Sequence, residues 1–338
     1  MRPVESLEVR RLLASFTASS VAELVTDINA ANAAGGSNTI ALPPGASFTL
    51  GAVDNTAHGP TGLPVIAAGN DLTIVGSGAT LQRGTARGTP AFRLFDVAAG
   101  ASLPLNGLTL SGGLALDGSG QGGGVFSLGN LSLSRVTVQN CTAQGASVNG
   151  PAFGGGIFSG TAGAVLTVAD STIRGNQALG ANGVQITASY MATGGGSAFG
   201  GGVYAYGARA TLTNVTIDSN VARGGDGATG YSIKFFKQPL GVPGGAGGSA
   251  FGGGIYATAT TAVELRGTTV TRNAATGGTG GTAPRGLDKA ADGAGYGGGI
   301  YVAAPTPVGL DAFTQSHTNS NTASTSDNDI FGSFTVLA

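Results

Sequence analysis

A motif of three glycines, then Val or Ile, then an aromatic residue occurs five times along this 338-residue chain. The copies are Gly122-Gly123-Gly124-Val125-Phe126, and the equivalent runs starting at Gly154, Gly200, Gly252 and Gly297 and ending at Phe158, Tyr204, Tyr256 and Tyr301. Each is followed, after a short connector, by a polar, Thr-rich block. Aligned without gaps, the blocks are thirteen residues long and cover 131–143, 166–178, 210–222, 263–275 and 311–323. A repeat of this kind constrains architecture before any single residue does. It predicts units that stack on their neighbours rather than a globule closed around one centre.

Within a block, apolar and polar residues alternate with the period of a strand. Position three holds Leu133, Val168, Leu212, Leu265 and Phe313, and position eight holds Val138, Ile173, Ile217, Val270 and Thr318. Position eleven reads Cys141, Asn176, Asn220, Asn273 and Asn321, and position thirteen is alanine throughout. Stacking in parallel brings equivalent positions together at roughly 4.8 Å, so the asparagines are expected to form an internal amide ladder. The glycine run provides a tight corner with positive φ. The expected fold class is all-β: a right-handed parallel β-helix, or solenoid, since parallel crossovers favour that hand.

Earlier segments fit the same scheme. The stretch 103–113 puts Leu103, Leu105, Leu108 and Leu110 at apolar positions, and 72–75 reads as a strand, so the solenoid is expected to begin near residue 38. Before it, Ser20 and Glu23 have capping-box spacing. Val21, Leu24, Val25, Ile28 and Ala31 make one apolar face, and Gly35 with Gly36 stops the helix. An amphipathic helix over 20–36 is expected to cap the open end, where bare strand edges invite aggregation. The division is then a leader over 1–19, a cap helix over 20–36, early turns over 38–113, glycine-run repeats over 114–323 and a C-terminal end over 324–338.

Between blocks and the next glycine run lie insertions at 144–153, 179–199, 223–251 and 276–296. All leave from one corner of the repeat and so map to one edge. Each rejoins through an aromatic residue, Phe153, Phe199, Phe251 or Tyr296, and these are expected to stack. Their Gly, Ala, Ser and Thr content suggests flexible loops. The longest insertion contains Tyr231, Lys234, Phe235, Phe236 and Lys237, the candidate ligand contacts.

The glycine-run repeat with a downstream Asn-x-Ala resembles the right-handed parallel β-helix surface proteins of bacteria, notably the polymorphic outer-membrane protein repeat. It is also similar to choice-of-anchor β-helix proteins, which end in a motif like Asp329-Ile330-Phe331-Gly332. The segment from Glu5 to Ser15 resembles the LEPR-XLL motif of bacterial surface and extracellular proteins, with Val9 in place of its proline. The resemblance implies an extracellular or cell-surface location in a bacterium. Parallel β-helices carry adhesins, lyases and hydrolases alike, and the leading expectation is a structural or adhesive role rather than an enzymatic one.

Composition narrows the alternatives. Charged residues are 10% of the chain and the formal net charge is −1, so the basic stripe of a nucleic-acid reader is missing. No run reaches the length of a transmembrane helix. The single cysteine, Cys141, reads as a buried thiol within the ladder. No cofactor or metal is expected, because His58 and His317 are far apart in sequence and Asp327 and Asp329 lack a third acid. The competing function is a polysaccharide lyase or glycoside hydrolase working on the solenoid face, with Asp170 and Asp218 as its best carboxylates. Those two occupy block positions five and nine, where Arg135 and Arg174 align with them as expected cross-turn ion pairs. A glycan or protein of a cell surface is the expected partner.

Overall fold

A computed structural model of the chain describes residues 14–235, 238–258, 262–284, 286–305 and 308–338. Its strands pair in parallel, turn upon turn, in one large sheet assembly and two narrower ones, with two short antiparallel pairs besides. The arrangement is compatible with an all-β solenoid, and the core columns can be followed through the register. One runs Ile40, Ile74, Leu105, Leu133, Val168, Leu212, Leu265, Leu310, Val336. A second runs Leu81, Leu110, Val138, Ile173, Ile217, Val270, Thr318. Except for Val336 at the end of the first column, these side chains are buried.

The N-terminal helix, α1 (Val21–Ala34), forms as its sequence predicts. Ser20 Oγ accepts the Glu23 amide, and the Glu23 carboxylate reaches back to the Ser19 amide and hydroxyl. Leu24, Ile28 and Ala31 face the core, and Gly35 ends the helix at a φ of 62°. One strand precedes it. Ala14–Thr17 pairs in parallel with Gly36–Ala41, so pairing starts inside the segment expected to be a leader. The rest of the surface-protein-like motif, to residue 13, lies outside the described residues.

Block corners are left-handed. Position five holds Arg135, Asp170, Asn214 and Gly267 at φ between 49° and 57°, and position ten holds Asn140, Gly175, Ser219, Arg272 and Ser320 between 54° and 63°. The glycine run is a third corner, and its glycines are needed for different reasons. The first of each run has a φ of 60–65°. The second has no room for a methyl against the backbone of the flanking turns, and the third lies against the ladder side chain, as Gly156 does against Asn176.

The asparagine ladder is complete. Nδ2 of Asn176, Asn220 and Asn273 donates to Oδ1 of the next asparagine at 2.9–3.0 Å, and Asn321 ends the series on Asp329 Oδ1. The backbone amide at Cys141 donates to Asn176 Oδ1, and those at Asn176, Asn220 and Asn273 each donate to the Oδ1 of the next asparagine. Each Nδ2 also bonds the position-eight carbonyl one turn back, so these buried amides are satisfied.

The fifth block departs from the gapless alignment. Asp311 caps a short helix, α2 (Ala312–Ser316), and Phe313 is exposed on it rather than at core position three. The strand Val308–Leu310 takes the first three positions instead, pairing Leu310 with Leu265. Thr314 Oγ1 accepts the Thr268 amide, and the block regains its expected register at Thr318.

Candidate functional surface

The insertions form an ordered layer. They leave the stacked turns along Thr142–Gly145, Gln177–Leu179, Val221–Arg223 and Ala274–Thr276, and return along Ala152–Phe153, Ala198–Phe199, Ala250–Phe251 and Gly295–Tyr296. The two narrow sheets so formed are separated by alanine methyls alone: Ala178, Ala222 and Ala275 against Ala152, Ala198 and Ala250. That spacing accounts for the alanine at position thirteen.

Further out, even alanine is excluded. A chain of backbone hydrogen bonds of 2.7–2.9 Å zigzags between outgoing and returning segments, from Ala181 to Gly150, Gly196 to Ala181, Gly225 to Gly196, Gly248 to Gly225, Gly278 to Gly248 and Gly293 to Gly278. Three residues further along each segment a second chain repeats the pattern through Ala228, Gly245, Gly281 and Ala290. The repeat of three is in the sequence, as Gly224, Gly227, Gly230 and again as Gly241, Gly244, Gly247. It is the period of an extended three-residue-per-turn helix, which has no internal hydrogen bonds and must find partners laterally. A methyl on Gly225 would overlap the Ala181 carbonyl oxygen, and one on Gly248 would overlap that of Gly196. The composition that suggested flexible loops therefore serves close backbone packing.

Beyond the glycines, the tips of adjacent insertions touch. Gln185 Nε2 donates to the Thr229 carbonyl at 2.7 Å, and Gly241 lies against Leu287 and Pro284. The tips carry Val148, Val184, Tyr190, Met191, Leu240 and Leu287, each 44–55% exposed. Leu116, Val148 and Val184 line a notch of about 370 Å³ at the end nearest α1. The sequence candidates Tyr231, Lys234 and Phe235 lie on one strand of an antiparallel hairpin, Tyr231–Phe235 with Gln238–Val242. Tyr231 reaches the neighbouring insertion, its hydroxyl 3.4 Å from the Ile186 carbonyl. Phe236 and Lys237 lie outside the described residues.

Two aromatic columns flank the glycine corner. Phe153, Phe199, Phe251 and Tyr296 stack at 5.0–5.8 Å between centroids. The residues after each glycine run make a second column, Phe126, Phe158, Tyr204, Tyr256, Tyr301 and Phe331, at 4.7–5.3 Å and nearly parallel. Within these columns the ring faces are covered by neighbouring rings, which leaves mainly edges to the solvent. A sugar ring needs a face to lie on, so the columns are packing rather than a platform.

Asp170 and Asp218 have separate partners. Asp170 accepts from Asn214 Nδ2 at 3.1 Å. Asp218 is gripped by Arg272 through two bonds of 2.8 Å, which hold its carboxyl below the usual range. The expected pairing of Asp218 with Arg174 has the right register, but Arg174 bonds Gln139 instead. Arg135 likewise bonds Asn106 rather than Asp170. The described residues contain no group of three or more side chains able to hold a metal ion. No described helix is long and apolar enough to cross a membrane.

One titratable cluster escaped the sequence reading. His58 Nδ1 lies 3.0 and 3.1 Å from the two carboxylate oxygens of Asp96, which has no exposed surface. Arg93, also buried, bonds the His58 carbonyl and Asp117 Oδ2 and lies 5.0 Å over the Phe126 ring. Asp96 occupies the register position of the aromatic column, paired with Phe126, and the His58 ring stacks on Phe126 at 5.3 Å. Burial pushes the Asp96 and Asp117 carboxyls up and the Arg93 guanidinium down.

Comparison with protein families, curated proteins and solved structures returned no match.

Cys141 is fully buried at the head of the asparagine ladder, and burial pushes its thiol up to about 12. It is expected to resist maleimide at neutral pH in the native protein and to react once denatured. Rapid native labelling, read by mass spectrometry, would show that the turn holding Cys141 opens.

Proposed function

We propose that the stacked sheets close into a right-handed parallel β-helix serving as a non-enzymatic bacterial surface or extracellular protein, structural or adhesive. Its contact surface is the tip of the glycine layer. The observation that carries this reading is the location of the exposed apolar side chains. Six of them, Val148, Val184, Tyr190, Met191, Leu240 and Leu287, lie on the tips of a layer built by backbone hydrogen bonds. Exposed apolar groups held in one place mark interaction sites, and a rigid support lowers the ordering cost of binding. The partner class is a cell-surface glycan or protein. The hydrolase or lyase reading gains nothing from Asp170 and Asp218, whose carboxylates are held by different neighbours in different columns.

The test is binding of the fluorescently labelled protein to bacterial cells and to immobilised acidic and neutral polysaccharides. A Gly-Ser bridge replacing 184–192 or 231–242 is expected to weaken binding about tenfold or more, equivalent to roughly 1.4 kcal/mol. Undiminished binding by both variants, or polysaccharide turnover lost in Asp218→Asn, would overturn the proposal.

A further inference from the structure

The glycine layer keeps glycine where one insertion packs on the next. Gly195 and Gly247, on returning segments, are two such places. A methyl on either would overlap the carbonyl oxygen of the following insertion, at Gly225 and Gly278 respectively. Strand register carries the position onward. Ala198, Ala250 and Gly295 pair in line, so Gly195, Gly247 and residue 292 are equivalent. The amides agree, since Gly195 donates to Ala246 and Gly247 to Ala291. Residue 292 is aspartate, not glycine.

The change falls where the layer ends. After Ala323 the chain reaches its next paired strand, Ile330–Phe331, with no insertion. The insertion 276–296 therefore has an uncovered far side. A notch of about 510 Å³ opens there, lined in part by Gly278, Asp292, Gly293 and Ser324. Backbone groups on that side lack the partners that inner insertions find. Gly224 and Gly227 donate to Thr276 and Thr279 of the next insertion. Their equivalents, Gly277 and Gly280, donate to side chains instead: Gly277 to Ser324 Oγ at 3.1 Å and Gly280 to Asp292 Oδ1 at 2.6 Å. The two zigzag chains of backbone bonds end on the carbonyls of Gly293 and Ala290, which accept nothing from the described residues.

We propose that Asp292 closes this last edge of the glycine layer against an extended polypeptide with glycine at every third residue. Its carboxylate replaces the missing carbonyl for Gly280, and its Cβ fills space that an added segment would need. Lys289 Nζ donates to the same oxygen at 2.6 Å, and this bond, with that of the Gly280 amide, holds the carboxyl below the usual range. Charge on an open edge also opposes further pairing. The excluded occupant follows from the inner geometry. Gly278 and Gly281 donate to Gly248 and Gly245, the equivalents of Gly293 and Ala290. A segment joining the edge must likewise bring two amides three residues apart and no side chain at those contacts. A second folded copy does not. Its opposite edge presents Ala181 and Val184 at the positions of Gly278 and Gly281, with their amides already bonded to Gly150 and Thr193.

A fluorescent synthetic peptide copying 276–283, added to the full chain, tests the proposal. Asp292→Gly is expected to bind it at least tenfold more tightly than the unaltered protein. Asp292→Ala, which keeps the Cβ, is expected to stay at the unaltered level. The same peptide with alanine in place of Gly278 and Gly281 is expected not to bind Asp292→Gly. Amide exchange reads the capping role separately. Exchange at Gly280 is expected to be about tenfold faster in Asp292→Ala and unchanged in Asp292→Asn, whose side-chain oxygen still accepts. Equal peptide affinity of Asp292→Gly and the unaltered protein, with Gly225 and Gly248 still protected, would overturn the proposal. So would Gly280 exchange that is the same in Asp292→Ala as in the unaltered protein, a result that holds even where Asp292→Gly loosens the layer.

Discussion

Asn220→Ala is expected to destabilise the protein on the order of 4 kcal/mol, among the most damaging single substitutions in the chain. The Asn220 Oδ1 accepts from both the backbone amide and the side-chain amide of Asn176, each at 3.0 Å. Its Nδ2 donates to the Ile173 carbonyl and to Asn273 Oδ1, each at 2.9 Å. Alanine removes all four bonds and leaves buried donors and an acceptor that water cannot reach, each costing about 1–3 kcal/mol. It also leaves a gap beside Gly202, which packs on the asparagine side chain. Urea unfolding gives the loss. Because a stacked repeat is stabilised turn by turn, hydrogen exchange should place the damage in the turns either side of residue 220. Asn182→Ala is the comparison. Asn182 is exposed and its Oδ1 accepts one bond, from the Asp226 amide at 2.9 Å. A loss of about 1 kcal/mol or less is expected there. Equal effects at the two sites would mean that the ladder is not a stabilising unit.

The ladder was legible because each asparagine meets its own equivalent one turn away, and a column is simply a repeated letter. The same holds for the rejoining aromatics Phe153, Phe199, Phe251 and Tyr296 and for the cap of α1, where Ser20 and Glu23 are near in sequence. Reading failed where the repeat did. In the fifth block, α2 displaces the alignment, and the alternating Val308-Gly309-Leu310 just before it held the true core positions. The Asp218 partner was misread because register fixes which residues are adjacent but not which side chain has the better geometry. Arg272, at a left-handed corner, reaches both oxygens. The cluster around His58 gathers residues from three segments, none of them in a thirteen-residue block, so no period announces it. The glycine layer is a different case. Its period of three was present in the letters, but glycine content alone reads as flexibility. Only the lateral hydrogen bonds show that the missing side chains make room for backbone.

Gly225→Ala is expected to disrupt that layer, with a cost of about 3 kcal/mol or more from overpacking. Strain in φ is not the cause, since Gly225 is not among the residues with positive φ. The cause is contact. The added methyl would meet the Ala181 carbonyl oxygen and lie 2.9 Å from that of Gly180. Neither is a flexible side-chain end that can turn away. The Ala181 oxygen accepts from Gly196, and Gly225 itself donates to Gly196 at 2.9 Å and accepts from Gly248 at 2.8 Å. A shift large enough to seat the methyl therefore parts three neighbouring segments, and the tips they carry move with them. Gly163→Ala provides the contrast. Its Cβ meets nothing within 4 Å and its φ is not positive, so the change is expected to be within about 0.5 kcal/mol of neutral. Limited proteolysis across 179–251 and hydrogen exchange at Gly225, Gly248 and Gly278 would report the difference. Rapid cleavage in Gly225→Ala with an unchanged asparagine ladder would identify the layer as a cooperative unit resting on the stacked sheets. Protection preserved throughout would mean that the segments can repack around a methyl, and that the glycines are not required for contact.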